Sequence, residues 1–137
     1  MENKANRAQQ PDATVFICVT CKVPDSGGET LAGRALFDAV TARLRERAET
    51  GITVAPVQCL AVCKRPCTVA LAGSGKWTSV VGDLDPCLHA DDIIAAALGY
   101  QASENGVIPW SQRPLSFRKG VVSRTPPAGF RLEAREP

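Results

Sequence analysis

The chain has 137 residues, 45% apolar and 22% charged, with 16 basic against 14 acidic side chains and a net charge of +2. That length suits one domain with its own core, and the near balance of charge gives no overall field for nucleic acid. No stretch reaches the ~18 consecutive apolar residues of a membrane span, and the N-terminal residues show neither a secretion signal nor an organelle-targeting pattern. The expected compartment is therefore the reducing cytoplasm, where six cysteines need an explanation other than a disulfide framework.

In chain order, residues 1–12 are polar and turn-rich and read as a disordered leader. The β-branched run ATVFICV at 13–19 predicts a strand that ends on the pair Cys18 and Cys21. Pro24, Gly27 and Gly28 then break regular structure. From Thr30 the pattern turns helical. Leu36, Val40, Leu44 and Ala48 recur every four residues, Thr30 suits the cap, and Gly51 suits the left-handed position beyond the end. ITVAPV at 52–57 predicts a second strand, which runs into Cys59, Cys63 and Cys67. CTVALAG (67–73) and KWTSVVGD (76–83) predict a hairpin about Gly73-Ser74-Gly75. Asp91 or Asp92 opens a second, Ala-rich helix that Gly99 closes. Beyond Tyr100 no element is evident, so residues 101–137 read as a basic, Pro- and Arg-containing irregular extension of a domain spanning 13–100.

The order β-α-β-β-β-α predicts a small α/β domain with a mixed sheet. A strand–helix–strand crossover makes the first two strands parallel, so their C-terminal ends share one end of the sheet. Both cysteine clusters directly follow those ends, which brings thiols about 40 positions apart into neighbouring loops of the kind that hold ligands. Three chemistries suit such thiolates: an iron–sulfur cluster, a four-cysteine zinc site, and dithiol exchange at Cys18-Val19-Thr20-Cys21. The last wants a helix N-terminus to activate the thiol, yet nine residues separate Cys21 from Leu31. Zinc fits the ligand number, but metal staples chiefly serve domains too small for a core.

The stretch Cys59-Leu60-Ala61-Val62-Cys63-Lys64-Arg65-Pro66 resembles the C-L-x-x-C-x-x-[GA]-P segment of thioredoxin-like [2Fe–2S] ferredoxins and a related subunit of respiratory complex I. More closely, from Val15 to about Pro127 the chain resembles a family of bacterial proteins known as predicted metal-binding (domain of unknown function 1636). The matching pieces are CVTC, CLAVCKRPCTVAL, GKW, VGDL, Gly99-Tyr100, RPLSFRKG and SRTPP. The resemblance implies a thioredoxin-like fold and a [2Fe–2S] cluster on Cys18, Cys21, Cys59 and Cys63. The ferredoxins space their first pair more widely than the two residues found here. The resemblance also puts Pro66 where thioredoxin folds carry a cis-proline, and it implies a redox or metal-handling link to aerobic cobalamin biosynthesis.

Cys67 shares strand parity with Val69 and Leu71 and reads equally as a core residue or a substitute ligand. Cys87 and His89 read as ordinary residues near a helix start, since Rieske-type ligation needs two histidines and the chain has one. No phosphate loop, Ser/His/Asp set or pair of catalytic carboxylates appears. The sequence therefore reads as a cytoplasmic [2Fe–2S] electron carrier or redox partner, not an enzyme. Its partner would be a redox protein of acidic surface, with no nucleic acid and no membrane, and a homodimer is compatible with this reading. The alternative is a zinc- or cobalt-binding metallochaperone using the same cysteines. Arg113, Arg118, Lys119 and Arg124 would dock the partner, and cluster assembly would not need the extension that carries them.

Overall fold

A computed structural model describes residues 13–20, 31–47 and 51–131. Strand β1 (Ala13–Cys18) is followed by helix α1 (Ala32–Arg47) and strand β2 (Ile52–Val57). The hairpin β3 (Val69–Ala72) and β4 (Thr78–Val81) leads to helix α2 (Ala90–Ala102), a 3-10 turn (Trp110–Gln112), the short helix α3 (Ser116–Lys119) and strand β5 (Val121–Thr125). The five strands form one sheet in the order β2-β1-β3-β4-β5. As the crossover requires, β1 and β2 are parallel, with Ala13 opposite Ile52 and Cys18 opposite Val57. The remaining pairs are antiparallel.

The core follows the apolar pattern. Leu36 and Val40 of α1 are buried and Leu44 is half-buried, so the four-residue stripe faces inward. It shares one cluster with Val15 and Ile17 of β1, Val69 and Leu71 of β3, and Ile93 and Ala97 of α2. Gly51 has φ +87°, the left-handed position its sequence context predicts. Thr30, Ala48 and the leader at 1–12 lie outside the described residues. Among the described residues no helix is long and apolar enough to cross a membrane.

Two sequence expectations are corrected. Helix α2 begins at Ala90, ahead of Asp91, and passes Gly99 to end at Ala102. Its start is prepared by Asp85, whose carboxylate accepts the Cys87 and Leu88 N–H groups at 2.7 and 3.1 Å, while the Asp85 N–H donates to His89 Nδ1 at 2.8 Å. Its end is held by Lys76, whose ammonium donates to the Tyr100 and Gln101 carbonyls at 2.9 Å each.

The second correction concerns the segment after Tyr100, which holds regular elements and core residues. Ile108 and Phe117 are buried with the main cluster, and β5 pairs with β4 from Thr78↔Thr125 to Val81↔Val121. This strand escaped the pattern because it lies at the sheet edge. Only Val121 is half-buried while Val122 to Thr125 are exposed, so no apolar alternation marks it. Backbone contact fixes the segment: a Cβ on Gly120 would stand 2.6 Å from the Gly82 carbonyl oxygen, and the Gly82 N–H donates to the Gly120 carbonyl at 2.8 Å.

Candidate metal centre

The parallel register puts Cys18 at the last paired position of β1, and the chain leaving β2 passes through Gln58 to Cys59. The Val19 N–H still donates to the Val57 carbonyl at 2.9 Å, so the two strand ends stay zipped beyond the sheet. Cys18 Sγ stands 3.5 Å from the Gln58 carbonyl and 3.6 Å from Thr20 Oγ1, and the Thr20 hydroxyl donates to the same carbonyl. One thiol from the first cluster therefore lies beside the entry to the second, 40 residues on.

The second loop is shaped around its sulfurs. Ala61 adopts φ +65°, a left-handed conformation unusual for a residue with a Cβ. The turn aims its N–H at Cys59 Sγ, 3.2 Å away. Cys59 and Cys63 are both exposed. The Cys63 thiol is pushed above its ordinary value by a hydrogen bond with Cys59 and then by the charge on Cys59, with smaller contributions from desolvation and from Cys18. The Cys59 and Cys63 thiols are thus neighbours in one exposed loop at this end of the sheet. Cys21, the fourth expected ligand, lies outside the described residues. Among the described residues no group of three or more cysteine, histidine or acidic side chains is closed around a metal position.

Cys67 is different. It is fully buried in the core, and its backbone exchanges two hydrogen bonds with Leu84, each 3.1 Å. Desolvation, followed by the charges of Asp85 and Cys18, pushes its thiol up to about 11. Cys87 is exposed in the turn built by Asp85. None of the five described cysteines is in a disulfide. The cis bond in this region is Pro66–Cys67, one bond later than the thioredoxin likeness implied for Pro66.

Sequence reasoning missed the residues that hold the loop in place. The Arg65 guanidinium meets Asp83 Oδ2 at 2.8–2.9 Å and reaches the Lys119 carbonyl at 3.5 Å, while its backbone carbonyl accepts the Asp83 N–H at 2.8 Å. Gly82 makes room for this: a Cβ there would lie 2.7 Å from the Arg65 carbonyl oxygen. The pieces VGDL and RKG are therefore the seat of the cysteine loop. Both pieces stood out in the family resemblance, but nothing in the sequence tied them to the cysteine loop.

The donor set fits a thiophilic metal or an iron–sulfur cluster, since its described members are all sulfur and a backbone N–H already faces one of them. The architecture is similar to solved structures. A thioredoxin-like [2Fe–2S] ferredoxin from Aquifex aeolicus matches with TM-score 0.55 at 18% identity, over 87% of this chain and 97% of that one. A second structure of the wild-type ferredoxin matches with TM-score 0.52 at 18% identity, over 82% and 97%. A cysteine-to-serine variant gives 0.53 at 17%, over 81% and 98%. At such identities the likeness shows the thioredoxin-like fold. No curated protein sequence matches the chain. A family profile matches residues 15–127, from β1 through the whole C-terminal wrap, and by that match the chain belongs to the family described as Protein of unknown function (DUF1636).

Proposed function

We propose that the protein is a small iron–sulfur electron carrier, with Cys18, Cys21, Cys59 and Cys63 holding a [2Fe–2S] cluster and no catalytic site of its own. The observation that supports this reading is the position of Cys18 at the C-terminal end of β1, its sulfur 3.5 Å from the carbonyl of Gln58, the residue before Cys59 at the end of the parallel strand β2. Held by these four thiolates, a [2Fe–2S] cluster would supply one-electron redox chemistry. The chain supplies the rest. The Ala61 N–H donates to the Cys59 sulfur and so stabilises negative charge there. The Arg65–Asp83 pair fixes the loop, and the exposure of Cys59 and Cys63 lets a partner approach closely. The ferredoxin fold likeness supports iron over zinc, as does an apolar core larger than that of the small domains zinc usually staples. A redox role beside aerobic cobalamin biosynthesis belongs to the same reading.

The test is chemical analysis of anaerobically purified protein. Iron and acid-labile sulfide are expected at about two each per chain, with visible absorption that bleaches on reduction. Cys59→Ser or Cys63→Ser should abolish or strongly shift that spectrum, because a hard oxygen replaces a soft thiolate. Cys87→Ser should leave it unchanged. Stoichiometric zinc without sulfide, from cells supplied with iron, would sink this reading in favour of the metallochaperone.

A further inference from the structure

Between residues 101 and 131 stand Arg113, Arg118, Lys119, Arg124 and Arg131, against Glu104 as the sole acid. None of the five cations forms an ion pair with a described residue; the pairs found are Arg34–Asp38, Arg43–Asp91 and Arg65–Asp83. The fold does not let these charges disperse. The Arg113 guanidinium lies 5.6 Å from the Trp110 ring centre and that of Arg118 lies 5.8 Å from it, while Arg124 lies over Trp77 at 5.9 Å. Arg113 donates to the Ile108 carbonyl at 2.8 Å, and Arg118 donates to the Trp110 and Ser111 carbonyls at 3.2 Å each. Arg113 is less basic than usual, first through desolvation and then through the nearby charge of Arg124. Arg113 and Arg124 line the same cavity, and neither forms an ion pair with a described residue, so an arriving carboxylate would relieve their repulsion.

The apolar side chains exposed among them are large: Trp110 is 59% exposed and Leu115 is 62% exposed. Trp and Arg around an apolar centre is the composition of protein-binding hot spots. The patch also adjoins the cysteine loop, since the Lys119 carbonyl accepts from Arg65, two residues from Cys63. We propose that this C-terminal segment, which exposes Trp110 and Leu115 and carries Arg113, Arg118, Lys119 and Arg124, is the docking surface for an acidic protein partner. The inference deepens the electron-carrier reading and rests on it for the partner's redox role. Single-stranded nucleic acid is the weaker occupant, because bases would stack on Trp110 only after displacing the guanidinia that lie over its ring.

The test is a binding titration of the isotope-labelled, cluster-loaded chain, followed by amide shifts. The probes are an acidic flavodoxin, a basic cytochrome c and a short oligothymidylate. Flavodoxin should bind weakly and lose about tenfold in affinity between roughly 20 and 200 mM salt. The pair Lys119→Glu with Arg124→Glu should weaken it about tenfold at low salt and flatten the salt dependence. Trp110→Ala should weaken it severalfold and leave the salt dependence intact. Arg45→Glu, at the end of α1 and thus at the other end of the sheet, should change affinity less than about twofold. If the double variant misfolds by circular dichroism, Lys119→Gln alone must still lower the salt slope. Unchanged flavodoxin binding by the charge variants overturns the proposal. So does preferential binding of the cytochrome, or tighter binding of the oligothymidylate on the same residues. A wild-type chain that carries no iron yet binds flavodoxin in this way would overturn the carrier reading and leave the docking face standing.

Discussion

Three residues separate Cys63 from Cys67, and the sheet sends them to opposite environments. Cys63 sits in the exposed loop, whereas Cys67 pairs with Leu84 and points into the core. The spacing of the cysteines was readable because thiols clustered at short intervals are chemically conspicuous. The fate of Cys67 was not, because strand parity gave it one orientation and cysteine chemistry another. Cys67→Ala should keep the cluster spectrum and cost about 1–2 kcal/mol for the lost sulfur contacts. Its thiol is held protonated up to about 11, while an unfolded thiol ionises near 9.0. The group's contribution is therefore complete below pH 9 and disappears as pH rises from 9 to 11. Denaturant midpoints across that range should fall more steeply for wild type than for Cys67→Ala, by a contribution of about 2 kcal/mol. Parallel pH profiles, or loss of the cluster on substitution, would return Cys67 to the ligand set. Ala61 was invisible for another reason: a left-handed alanine has no sequence signature, and only the direction of its N–H toward Cys59 reveals what the turn does.

Among the elements, the strands and α1 were readable from periodicity, and the ends of α2 were not. Asp91 and Asp92 looked like helix openers, yet Asp85 satisfies the preceding turn from five residues before Ala90. Lys76 looked like an ordinary turn lysine, because the carbonyls it caps lie 24 and 25 residues further on. It is 7% exposed, and its ammonium also stands 5.2 Å from the Tyr100 ring centre. Tyr100 returns the favour by donating its hydroxyl to the Trp77 carbonyl. GKW and Gly99-Tyr100 are thus two halves of one pin joining the hairpin to α2. Lys76→Met would bury an apolar tip against two carbonyls that lose their donor, and it removes the cation at the negative helix end. We expect a loss of about 2–4 kcal/mol, against about 1 kcal/mol for Tyr100→Phe. Urea midpoints decide the matter: a Lys76→Met variant as stable as wild type would mean that water satisfies those carbonyls.

For the molecule as a whole, the sheet topology makes the C-terminal wrap a part of the fold, contrary to what its composition suggested. A stretch with five cations and scattered prolines reads as a solvated tail, because its contributions to the core are single residues separated by polar ones. Ile108 and Phe117 nevertheless enter the main cluster, β5 covers the outer edge of β4, and Gly120 locks onto Gly82. Gly82 in turn lies against Arg65, so the wrap also bears on the loop that carries Cys59 and Cys63. Ending the chain after Tyr100 should therefore do two things at once. Losing two large buried side chains should cost about 3–5 kcal/mol, a large part of the stability of a domain this size. Baring the β4 edge should add a tendency to self-associate. The cluster spectrum should weaken with the fold, since the cysteine loop loses the carbonyl that holds Arg65 and the backbone that backs Gly82. Urea unfolding and visible absorption of the truncated chain measure both effects. A truncated chain that stays monomeric, unfolds at the wild-type midpoint and keeps its full spectrum would show that residues 13–100 fold alone and that the wrap only displays charge. The expected loss makes truncation a poor probe of docking. The charge reversals at Lys119 and Arg124, which leave Ile108, Phe117 and both glycines in place, separate recognition from folding.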